Sequence, residues 1–63
     1  MALSRKYYVL IAKEINYLYK DAVKKNNGNV RVLETLMNNL AIEFENDNAN
    51  FNPEIFRTAC LKS

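Results

Sequence analysis

The side chains able to do chemistry in this chain are few, and none is a histidine. That removes the commonest general base and the commonest metal ligand together. Cys60 is the single cysteine. It forms no disulfide within one chain, and beside Leu61 near the end of an apolar stripe it reads as a small core residue rather than a reactive thiol. Glu43 and Asp47, four residues apart, are the one carboxylate pair at helical spacing for acid–base work. Both fall toward the polar side of their helix, so no catalytic residue is assigned. The run Glu45-Asn46-Asp47-Asn48-Ala49-Asn50 lacks the glycine at the sixth position and the alternating oxygen ligands of a calcium loop. It reads as a helix end followed by an Asn-rich turn, and no metal or cofactor is expected.

Two surfaces remain. Setting Tyr8 at 0° and advancing about 100° per residue, Lys6, Lys13, Lys20 and Lys24 fall between roughly 120° and 160° of one helix, with Tyr17 beside them. A lysine row with a neighbouring aromatic is what a phosphate backbone binds. Against that use, the net charge is only +2, and the last helix offers just Arg57 and Lys62, where three-helix DNA readers concentrate their contacts. The same wheel places Tyr7, Leu10 and Tyr17 between about 180° and 260°, outside the expected core arc and interrupted by Glu14 and Asp21. Tyrosine joins a large apolar ring to a polar tip and is enriched at interfaces. Because a domain this small often gains stability by associating, this strip is expected to meet a second copy of the chain or another protein. Val32 and Ile42 also lie off the main stripe of their helix.

The elements that carry these faces follow from 63 residues, 49% of them hydrophobic and 25% charged, with one glycine and one proline. That composition suits one small globular domain, residues 1–63, rather than a disordered chain. A first helix starting at Ser4 as N-cap and running to Lys25 would bury Tyr8, Ile11, Ala12, Ile15, Leu18, Tyr19 and Ala22. Asn26-Asn27-Gly28 tolerates the left-handed conformation that ends a helix, and Asn29 is the expected cap of the next. A second helix from Val30 to Glu45 would bury Leu33, Leu36, Met37, Leu40, Ala41 and Phe44. The third start is the most specific: Asn52 as cap, Pro53 at the first helical position, Glu54 at the positive end of the dipole, and a Phe51–Phe56 staple. Phe56, Ala59 and Cys60 continue its buried side. The predicted fold is all-α, an antiparallel helical hairpin closed by a short C-terminal capping helix.

Charge divides unevenly along the chain. Up to Lys25 there are six basic residues against Glu14 and Asp21, leaving +4; beyond it, three basic residues meet five acids, leaving −2. Such a dipole pairs one chain with another head to tail, holds the halves of one chain together, or presents a basic face to an anionic partner. No stretch approaches the roughly 18–20 apolar residues of a membrane span. The start Met1-Ala2-Leu3-Ser4-Arg5-Lys6 leads into a Tyr-rich helix instead of an apolar signal core, and a lone cysteine fits a reducing compartment. The expected location is the cytoplasm.

The tail Asp47-Asn48-Ala49-Asn50-Phe51-Asn52-Pro53-Glu54-Ile55-Phe56-Arg57-Thr58-Ala59-Cys60 resembles the ending of a group of short hypothetical helical proteins from phage and metagenomic sequences. Those tails read Asp-Asn-Pro-x-Phe-Asp, three variable positions, then Phe-x-x-Ala-Cys. Arg5-Lys6, Tyr8 and Ile11-Ala12 resemble the start of that group, and Leu40-Ala41 with Phe44 its middle. The chain departs at Ala49, where the group has proline, and at Asn52, where it has aspartate. The resemblance implies a small phage-type accessory protein, in the host cytoplasm if phage-encoded. It carries no activity across, because the shared positions are largely caps, staple and core.

Overall fold

A computed structural model describes residues 4–62. Met1, Ala2, Leu3 and Ser63 lie outside the described residues, so the reading of the chain start is not addressed by it. Three helices follow in order: α1 over Arg5–Lys25, α2 over Asn29–Asp47 and α3 over Pro53–Leu61. Among the described residues there is no strand. The all-α three-helix mini-bundle is therefore the fold, measuring 36 × 18 × 17 Å along its principal axes.

Each helix end has a local cause. Asn26 adopts the left-handed conformation with φ of 50°, and its N–H reaches the Ala22 and Val23 carbonyls as α1 stops. Gly28, two residues on, stays right-handed at φ −69°, so asparagine takes the conformation that glycine usually supplies. Lys24 and Lys25 occupy the last turn of α1, where the dipole favours cations. The cap of α2 differs from expectation: α2 begins at Asn29 itself, and the Asn27 side chain accepts the Asn29 N–H at 3.0 Å. Ser4 holds the N-cap position of α1 without a side-chain bond; its carbonyl accepts from the Tyr7 and Tyr8 N–H groups. The α3 signal is realised in full. The Asn52 side chain accepts from the Glu54 and Ile55 N–H groups at 3.0 and 3.2 Å, with Pro53 opening the helix.

Tyr8, Ala12 and Ile15 from α1, Met37 and Ala41 from α2, Phe51 from the loop, and Phe56 and Cys60 from α3 form one buried cluster. At its centre the ring of Tyr8 lies 4.9 Å from Phe44 and 4.7 Å from Phe51. Phe56 meets Phe44 edge-on at 5.5 Å and Phe51 at 5.6 Å. The staple pair thus belongs to a four-ring cluster that joins all three helices, and edge-to-face rings add to the area term.

The core is narrower than the periodicity suggests. Leu18, assigned to the α1 core, is 59% exposed, and Leu36 on α2 is 42% exposed. Ala59 is also exposed and Tyr19 only half-buried. The reason is the position of α3: it packs on the side of the hairpin that carries Asn16 and Asn38 and leaves the opposite groove edge uncovered.

Candidate interaction surface

The position of α3 sorts the surface into faces. Asn16 of α1 donates from its amide to the carbonyls of Cys60 and Lys62, which otherwise stand among the unpaired carbonyls that end a helix. On α2, the Asn38 side chain accepts from Arg57 Nε at 3.0 Å, and Arg57 also pairs with Glu54. Asn16 and Asn38 therefore mark the sides of α1 and α2 that face α3. Neither had stood out in the sequence, because an exposed-looking asparagine on a helix carries no sign of a partner 44 positions away.

Tyr7, Leu10 and Tyr17 are 49%, 52% and 58% exposed, so α1 carries them together on the side turned away from α3. Leu18, beside them on the helical wheel, joins the strip. Val32 and Ile42 on α2 are exposed as well. Lys6, Lys13, Lys20 and Lys24 are all exposed. Neither ion pair among the described residues, Lys25–Asp21 and Arg57–Glu54, includes any of the four. The lysine row leans on the tyrosines: Lys6 Nζ lies 5.9 Å from the Tyr7 ring centre and Lys13 Nζ 5.8 Å from that of Tyr17, within cation–π reach. The aliphatic stems thereby border the apolar strip while the charges stay in water.

Glu43 and Asp47 are exposed, and among the described residues no three His, Cys, Asp or Glu side chains are placed to hold a metal ion. Cys60 is free and fully buried, and burial pushes its thiol up to about 11, which disfavours the nucleophilic thiolate. An open groove of about 420 Å³ runs between the start of α1 and α3, walled by Val9, Ile55 and Ala59 with Arg5 at its edge. The Tyr8 hydroxyl is buried without a protein partner. No helix among the described residues is long and apolar enough to cross a membrane.

The all-α mini-bundle thus carries an exposed apolar strip edged by lysines. In comparisons with known proteins the chain matches no family model, no curated protein and no solved structure. The likeness of its tail to short phage-type proteins therefore rests on the residues that carry it.

Proposed function

We propose that this protein is a small, non-enzymatic phage-type accessory protein that works in the cytoplasm through protein–protein contacts, and that it self-associates through Tyr7, Leu10 and Tyr17. The observation that carries the reading is the exposure of these three large side chains, each about half accessible on one face of α1. Contiguous apolar surface on a small protein marks an interaction site. Replacing Leu10 with Glu places a charge in the strip and leaves the buried cluster untouched, so a folded monomer is expected. Sedimentation equilibrium with circular dichroism on the same samples tests this, and a variant that loses its helicity would place the face inside the fold.

The second reading is a nucleic-acid-binding module using Lys6, Lys13, Lys20 and Lys24. It is favoured by the lack of ion-pair partners for these four among the described residues and by the Tyr17 ring beside Lys13. Phosphate contacts give salt-dependent affinity, so titration of single- and double-stranded nucleic acid at low and moderate salt separates the two classes. Salt-sensitive binding that is lost when Lys13, Lys20 and Lys24 are changed together to Gln would put the second reading first.

A further inference from the structure

The apolar surface does not stop at α1. The hairpin closes around Asn26–Gly28, and Leu18 and Leu36 each stand nine residues from Asn27, so an antiparallel pair brings them level. Both are exposed, at 59% and 42%. On the wheels of their helices each lies well over 100° from the side that faces α3, marked by Asn16 on α1 and Asn38 on α2. Val32, one turn from Leu36, is 63% exposed. One face of the hairpin thus carries Tyr7, Leu10, Tyr17 and Leu18 from α1, and Val32 and Leu36 from α2.

Resting on the reading that the protein self-associates, we infer that this two-helix face seats a second copy of the chain, with α1 of each copy lying antiparallel on α2 of the other. The result is a four-helix bundle whose layers are the two hairpins, with each α3 on the outside. Area and charge select this occupant and this pairing.

The six side chains supply on the order of 600 Å² per copy, against the roughly 800 Å² per partner of a standard stable interface. That is about an eighth of the 4811 Å² surface of the chain, and two such faces together reach about 1,200 Å², the low end of specific, stable interfaces. The alternative stacking, α1 on α1, would set one lysine row against another. Stacking α1 on α2 instead sends the two lysine rows to opposite edges of the bundle and sets α1, at +4, against α2, where Arg31 stands against Glu34, Glu43, Glu45 and Asp47 for −3. In a twofold arrangement this contact is made twice with the same residues, which is how an isologous interface closes. Antiparallel neighbours also place opposite helix-dipole ends together.

The test is sedimentation equilibrium at about 100 μM, a concentration that populates a dimer of micromolar affinity, with circular dichroism on each sample. Wild type, Leu10→Glu, Leu36→Glu and Val32→Glu are compared. The expected result is a two-chain mass for wild type and a one-chain mass for every variant, with helicity retained. If wild type and both α2 variants are dimers while Leu10→Glu is a monomer, α1 meets α1, and the inference fails with the self-association reading intact. A monomeric wild type overturns both. Should Leu36→Glu lose helicity, Val32→Glu, at the more exposed position, decides: a dimer overturns the inference and a folded monomer supports it.

Discussion

Two adjacent residues of α3 should respond oppositely to the same change. Phe56 is 4% exposed and Ile55 is 61% exposed. Truncating Phe56 to Ala removes a ring that meets Phe44 at 5.5 Å and Phe51 at 5.6 Å, in a place where the ends of three helices limit collapse. Such a truncation costs about 3–5 kcal/mol. A 63-residue domain has on the order of 3–9 kcal/mol of stability to lose, at about 0.05–0.15 kcal/mol per residue. Phe56→Ala should therefore leave the chain largely unfolded or close to it at 25 °C. Ile55→Ala should shift stability by no more than about 0.5 kcal/mol, as surface substitutions do. Urea titrations followed by circular dichroism measure both, at one fixed protein concentration because self-association would couple stability to concentration. A loss below about 1 kcal/mol in Phe56→Ala, or equal losses at the two positions, would mean that α3 is not docked through its aromatic side.

Four other outcomes follow from individual contacts. Asn52→Ala removes the acceptor of two backbone N–H groups and should cost about 1 kcal/mol, whereas Ser4→Ala, whose side chain makes no cap bond, should leave the urea midpoint close to that of wild type. Asn16→Ala removes the donor to the part-buried Cys60 carbonyl and to the exposed Lys62 carbonyl and should cost about 1–2 kcal/mol, with faster amide exchange confined to α3 as its signature. Tyr8→Phe deletes a buried hydroxyl without a protein partner and keeps the ring contacts, so it should be neutral or stabilising by up to about 2 kcal/mol; a loss above about 1 kcal/mol would reveal a bond to that hydroxyl. Cys60 should resist thiol reagents at neutral pH until the chain is unfolded. Because burial raises its pKa from 9.0 to about 11, the neutral thiol favours the fold below pH 9, and that contribution is lost as pH rises toward 11; the decline should be smaller in Cys60→Ala.

Local information ends where a side chain's partner lies outside its own stretch of chain. The Asn52-Pro53-Glu54 start, the left-handed stop at Asn26 and the Phe51–Phe56 staple were all legible, because each is satisfied within five residues of chain and its chemistry is the same in any surroundings. The exposure of Tyr7, Leu10 and Tyr17 was legible for the opposite reason: these residues lay off the core arc of a helix whose period was plain. What the chain alone determined was three amphipathic helices, their order, the bounds of α1 and the start of α3, whereas α2 runs from Asn29 to Asp47 instead of Val30 to Glu45. Only the tertiary structure decided how wide each buried stripe is. A 3.6-residue period marks the centre of an apolar arc, but its edges depend on what lies across from it, and a nine-residue α3 shields one side of the hairpin alone. That is why Leu18 and Leu36 left the core for the surface, and why Asn16 and Asn38 became partners of α3.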